Sequence, residues 1–148
     1  MKINEATTKA EIEKCFDVMN ALRPKLERET FVELILGMMT RGYHLIYIED
    51  EGRVPCFCGY RFTEHLYWGK AIYIDDLSTL PGARKKGYAS TLLDHVFEIA
   101  RKNKCDEVHL DSGCGPNRYD AHRLYLNKGF RLSCHHMSIQ LNSRNVDA

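Results

Sequence analysis

The sequence predicts a mixed α/β fold in which a mostly antiparallel central sheet is flanked by helices. Three patterns predict it. Two stretches at helical spacing lie in the first 42 residues, one behind Thr8 and one behind Thr30. Three β-rich runs then follow as a meander between Tyr43 and Thr79. Last comes a strand–helix–strand unit from Ala71 to Asp111, long enough for a crossover that leaves its two strands parallel.

Taken in order, residues 2–6 read as a short first strand. Thr8 and Glu11 have capping-box spacing, so a helix starts there and carries Ile12, Cys15, Phe16, Met19 and Leu22 until Pro24 stops it. The charged stretch from Arg23 to Glu29 reads as a mobile loop. A second capping box, Thr30 with Glu33, opens a helix bearing Phe31, Leu34, Ile35, Met38 and Met39, with Gly42 as its stop. Its Met pair reads as core packing.

Tyr43–Ile48 is a strand, residues 49–52 are a turn, and Val54–Phe62 is the returning strand, with Pro55 near its start where a missing N–H does least harm. Residues 68–70 turn into the central strand, Ala71–Thr79. A helix from about Gly87 to Asn103 presents Leu92, Leu93, Val96 and Phe97 on one side, and Glu107–Asp111 is a short strand after it. A loop of small residues, 112–117, leads to a helix over Tyr119–Asn127, capped by Gly129. Phe130–Leu141 reads as a final antiparallel strand, and the polar tail from Asn142 is expected to fray.

At 148 residues the chain is expected to form one domain, large enough for a proper core. With 21 basic and 20 acidic residues, broad electrostatic binding to nucleic acid or to an anionic membrane is not expected. No apolar run approaches the ~18–20 residues of a membrane span, and the first residues lack a signal peptide's apolar core. The expectation is a cytoplasmic protein whose six cysteines are reduced. Cys56-x-Cys58 is not a zinc spacing and no second pair follows, so these thiols read as buried packing; His135 and His136 are strand neighbours that point apart. No metal is expected.

The chemistry concentrates where the central strand meets the next helix. Pro81-Gly82 turns the chain, Arg84, Lys85 and Lys86 follow, and Gly87 precedes the helix. The first turn of a helix has N–H groups without intrahelical partners and the positive end of the dipole, so this junction suits a phosphate-bearing ligand. Gly87, lacking a Cβ, lets the backbone come close. The bland alternative is a β-turn before an amphipathic helix with a solvated basic start. P-loop and dinucleotide glycine motifs are absent.

Arg84-x-x-Gly87-x-Ala89 resembles the pyrophosphate-binding signature of the GCN5-related N-acetyltransferase family. Ala121-x-x-x-Tyr125-x-x-x-Gly129-Phe130 resembles the same family's closing motif, in the same order of elements. The resemblance implies the acyl-CoA N-acyltransferase fold, with the fourth and fifth strands splayed apart. It implies acetyl-CoA as co-substrate, its pantetheine pairing with the backbone of Leu77, Ser78 and Thr79. The pyrophosphate would lie on the N–H groups of Arg84, Lys85, Lys86, Gly87, Tyr88, Ala89 and Ser90. Asn117 or Arg118 would lie near the pantetheine; the family's asparagine position holds Arg118 here, so the assignment stays open between the two.

The implied reaction is acetyl transfer to a primary amine, on a small molecule or a peptide, by direct attack in a ternary complex. Tyr125 is implied as the acid that protonates the thiolate; an unperturbed phenol titrates near ~10 and stays protonated at neutral pH. Asp75 and Asp76 are candidates for holding or deprotonating the amine. Adjacent strand residues face opposite ways, so one of them is expected at the acceptor cleft unless a bulge intervenes. Asp111 is a further candidate, and His122 shares a face with Tyr125. A non-catalytic acyl-CoA-binding module of the same fold is the alternative. Homodimers are common in the family, though nothing in the sequence shows one.

Overall fold

The structure, a computed structural model, describes residues 1–142. These fall into two compact units, one ending at Leu110 and one starting at Asp111.

The first unit holds β1 (Lys2–Glu5), α1 (Lys9–Lys14), α2 (Phe16–Leu22), α3 (Arg28–Met39), β2 (His44–Asp50), β3 (Arg53–His65), β4 (Gly69–Thr79), α4 (Tyr88–Lys102) and β5 (Glu107–Leu110). The five strands form one sheet in chain order, antiparallel from β1 to β4 and parallel between β4 and β5. β4 and β5 pair only from Ala71↔Glu107 to Ile74↔Leu110. The last five residues of β4, Asp75 to Thr79, have no strand on that side among the described residues. The mixed sheet with parted fourth and fifth strands is the expected one.

Strand alternation sorts the side chains. Leu45, Tyr47 and Phe57 join Ile12, Phe16, Phe31 and Ile35 of the first three helices in one core. Their neighbours Ile46, Ile48, Cys56 and Cys58 therefore point to the opposite face, and all are buried. α4 packs against β2–β5 and buries Leu92, Leu93 and Val96 completely. The β2–β3 hairpin turns on Glu51 (φ 52°) and Gly52 (φ 74°), the left-handed pair that matches strand twist.

Three expectations need correction. The first helix is two, because Cys15 breaks it (φ −85°, ψ −4°) between α1 and α2. Thr8 and Glu11 do form a reciprocal capping box. Thr30 and Glu33 do not: α3 starts at Arg28 behind Glu27, and the Thr30 hydroxyl instead donates to the Glu27 carbonyl at 3.4 Å. The Arg28 guanidinium ties this first turn back to Glu13 and to Asp17, the latter at 2.9 Å, so tertiary ion pairs set the start.

The second unit holds one short 3-10 turn, Pro116–Arg118, and α5 (Tyr119–Asn127), ended by Gly129 at φ 101°. The third correction lies here. Residues 130–141 form no strand among the described residues, and every residue from 131 to 142 is exposed. Their alternation encodes which side chains share a face, but a strand needs a partner to close its hydrogen bonds. Beyond Asn142, the tail expected to fray lies outside the described residues.

Candidate active site

The basic loop is built as a concave set of backbone amides. After one 3-10 turn at Pro81–Ala83, Lys85 takes φ 66° and Gly87 takes φ 82° before α4 begins. Left-handed residues alternating with ordinary ones turn successive N–H groups towards one side, the geometry of an anion nest. A left-handed lysine costs about 1–2 kcal/mol, and such strain concentrates at functional sites. No side chain caps α4, and nothing lies within 4 Å of where a Gly87 Cβ would stand. Arg84, Lys85, Lys86 and Gly87 are exposed, while Ala89 and Ser90 are half-buried. The residues present thus suit a diphosphate. Tyr88 differs from the rest: its ring is buried and its hydroxyl donates to Asp50 at 2.5 Å, so only its backbone faces that role. That hydrogen bond holds the Asp50 carboxyl below its usual range and pushes the Tyr88 phenol up.

Upstream, β4 carries the carboxylates. Tyr60 pairs with Ile74 but Gly59 pairs with Asp76, so Asp75 is one extra residue, a β-bulge. The bulge puts both aspartates on the face of the first three helices. Asp75 accepts from Arg61, whose Nε reaches its two carboxylate oxygens at 3.0 and 3.2 Å and whose Nη2 reaches one of them at 2.6 Å. Asp76 pairs with Arg23, just beyond α2. The expectation that one of the two reaches this side is thus replaced by both, for the reason anticipated. The Asp76 side chain is 19% exposed and Arg23 is 59% exposed. Burial pushes the Asp76 carboxyl up, against the pull of Arg23.

Beneath this pair lies Tyr43. A Cβ on Gly59 would sit 2.0 Å from its hydroxyl oxygen, so the phenol occupies the space that glycine leaves. Burial and then the two aspartates push the Tyr43 phenol far above its ordinary value. Further along β4, Leu77 is buried, Ser78 is half-buried, and Thr79 donates to the Cys56 sulfur at 3.2 Å. Burial pushes the Cys56 thiol up to about 11 and the Cys58 thiol higher still, in keeping with thiols packed in an apolar layer. Among the described residues no group of three His, Cys, Asp or Glu side chains could hold a metal ion.

The second unit carries the other candidates. Tyr125 is buried on α5, its ring edge-on to Phe130 with centroids 5.7 Å apart. Asn117 is exposed in the 3-10 turn and Arg118 is half-buried at the N-cap of α5. His122 lies 2.7 Å from the Gly113 carbonyl through Nε2, which ties the small-residue loop to the helix. Asp111 lies 3.4 Å from His136.

Arg23, Arg61 and Tyr43 were not singled out from the sequence. Their partners are distant in the chain, which no spacing rule reports. Gly59 did carry a signal, because glycine inside a strand marks a bulge or a close approach.

A strand that parts from its neighbour, a left-handed basic loop and an uncapped helix follow one another along the first unit. The family model described as Acetyltransferase (GNAT) family matches residues 11–130. The chain belongs to the GNAT acetyltransferase family. It is 31% identical over 132 residues to an uncharacterized N-acetyltransferase, YhdJ, of Bacillus subtilis (strain 168), covering 88% of this chain and 92% of that one. It is 28% identical over 109 residues to the thialysine N-epsilon-acetyltransferase of Bos taurus, covering 68% of this chain and 61% of that one. The solved aminoglycoside N-acetyltransferase AAC(6')-Iy in complex with CoA shares the fold, with a TM-score of 0.80 at 14% identity over 96% of this chain and 95% of that one.

Proposed function

We propose that this chain transfers an acetyl group from acetyl-CoA to a primary amine, by direct attack of the amine on the thioester. The observation that carries the reading is the Arg84–Ser90 junction, where strain, cations and uncapped amides converge on one anion site. The backbone of Leu77, Ser78 and Thr79 offers the open edge of β4 to the pantetheine arm, and Asn117 or Arg118 is the candidate for a further contact with that arm. Holding amine and thioester in line supplies much of the rate. A backbone N–H near Leu77 or Ser78 polarises the carbonyl.

Asp76 takes the amine. Its raised affinity for a proton suits a carboxylate that must accept one, directly or through water. Arg23, the exposed half of that pair, gives way to the incoming ammonium, while Asp75 stays on Arg61. The nitrogen forms its bond to the acetyl carbon as the carbon–sulfur bond breaks, Tyr125 gives its proton to the departing sulfur, and the acylated nitrogen's surplus proton passes to solvent, from which the phenolate is reprotonated. The bovine relative is named for thialysine and the solved neighbour for aminoglycosides. These names support a small molecule bearing a primary amine as acceptor.

A panel of diamines, amino acids, aminoglycosides and peptides, assayed for acetyl-CoA-dependent thiol release, tests the reading. At least one amine class should release thiol in step with acetylated product. Tight acetyl-CoA binding with no turnover on any amine would leave an acyl-CoA-binding module instead.

A further inference from the structure

The two arginine–aspartate pairs on the face of the first three helices are built differently. Arg61 is fixed along its length. It stands on β3, its Nε and Nη2 both reach Asp75, and its guanidinium lies over the Tyr43 ring, 5.8 Å from the centroid. Arg23 is fixed at its base and loose at its tip. Pro24 disfavours helix at the residue before it, so α2 ends at Leu22. The Arg23 N–H closes the last turn on the Met19 carbonyl at 2.8 Å. The Asn20 amide nitrogen then reaches the carbonyls of Arg23, Pro24 and Leu26 at 3.4, 3.3 and 3.1 Å, which fastens the turn beyond. The Arg23 side chain, by contrast, is exposed and holds Asp76 through a single nitrogen among the described residues.

Two cations and two anions balance here. An ammonium taken by Asp76 in place of Arg23 leaves three positive groups against two negative ones, around carboxylates that are about four-fifths buried. Charges in such a place are screened less than in bulk water, so the surplus is unfavourable. An acceptor that brings its own carboxylate restores the balance, and a guanidinium is the fork that a carboxylate fits best. The tip of Arg23 starts from the oxygen that the ammonium takes, so the two partners are adjacent.

Given acetyl transfer at this site as proposed above, on which this rests, we infer that the acceptor is an amino acid with amine and carboxylate a few bonds apart, its ammonium on Asp76 and its carboxylate on Arg23. Arg23 exchanges one carboxylate for another and sets specificity; Arg61 stays with Asp75 and Tyr43. Once acetylated, the nitrogen is uncharged and no longer holds Asp76, so Arg23 returns to it and the product leaves.

Thiol release on matched amines tests this: glycine with methylamine, β-alanine with ethylamine, 4-aminobutyrate with propylamine, lysine with cadaverine. Each pair differs by one carboxylate. In the unaltered chain, kcat/KM should favour the amino acid of the best-used pair by about 10-fold or more, the scale of one charge-assisted hydrogen bond to a part-exposed arginine. Arg23→Ala should bring that ratio close to one and Arg23→Lys should keep part of it, with melting temperatures showing that each variant folds. Equal release within every pair, or faster release without the carboxylate, would overturn the inference and leave acetyl transfer standing. So would a preference that survives Arg23→Ala, or release from other amines but from none of these pairs. Release from no amine at all would overturn acetyl transfer itself, and this inference with it.

Discussion

A carboxylate in the middle of a strand is held at a cost, and Asp76 shows where that cost falls. Burial raises its pKa from an ordinary value of 3.8, and Arg23 recovers only part of the difference. The folded state therefore binds the proton more tightly than the unfolded chain does. The resulting stability is fully present below about pH 3.8 and is lost as pH rises through the folded pKa. Asp76→Asn, which cannot titrate, should lack this slope. Melting temperatures of the two proteins should converge at low pH and separate as pH rises, the variant becoming the more stable. Identical pH profiles would mean that Asp76 is not perturbed by folding. The residue proposed as the acid gives a different signature. Tyr125→Phe keeps the buried ring and its edge contact with Phe130, so the fold should survive. Turnover should fall by about 100-fold or more with the KM for acetyl-CoA little changed. Equal turnover in steady-state kinetics would remove the proposed role.

Among elements, β4 does most to shape the site. Its first half is an ordinary inner strand between β3 and β5, and its second half, beyond Ile74, is an edge. The bulge between these halves depends on Gly59 across the ladder, over which Tyr43 lies. Gly59→Ala would drive a methyl into that phenol, and Tyr43 is 3% exposed, with no easy retreat. A loss of about 1–3 kcal/mol is expected in urea unfolding. The same substitution in a Tyr43→Ala background should cost much less, and an equal cost there would show that the phenol is not what fills the space. The two capping boxes show what local sequence can and cannot specify. Thr8 and Glu11 cap α1 reciprocally at the spacing the motif requires, whereas Arg28 binds Glu13 and Asp17 and starts α3 before Thr30 can cap it. The meander, the crossover helix and α5 were legible because period and turn residues agree there. The Arg23 and Arg61 pairings and the failure of residues 130–141 to form a strand among the described residues were not, because each depends on residues far away in the chain, and the bulge was signalled only by Gly59.

For the whole molecule, near-neutral charge leaves the proposed recognition of acetyl-CoA to one local cluster, Arg84, Lys85 and Lys86, and not to a general field. Acetyl-CoA at about 100 times its Kd should stabilise the protein by about 2.7 kcal/mol, a rise of several degrees in a thermal-shift assay. ATP and NAD at equal concentration should do less. Arg84→Ala with Lys86→Ala should shrink the acetyl-CoA effect, and a shift indifferent to that pair would move the diphosphate elsewhere. The Asp75 insertion also bears on how such a molecule can change. Because it adds one residue to one side of a ladder, removing that codon would rejoin two regular stretches while Asp76, Leu77 and Thr79 kept their faces. Lineages can thus gain or discard a negative group on this stretch of the sheet by a single indel, without rewriting the interior that holds it up.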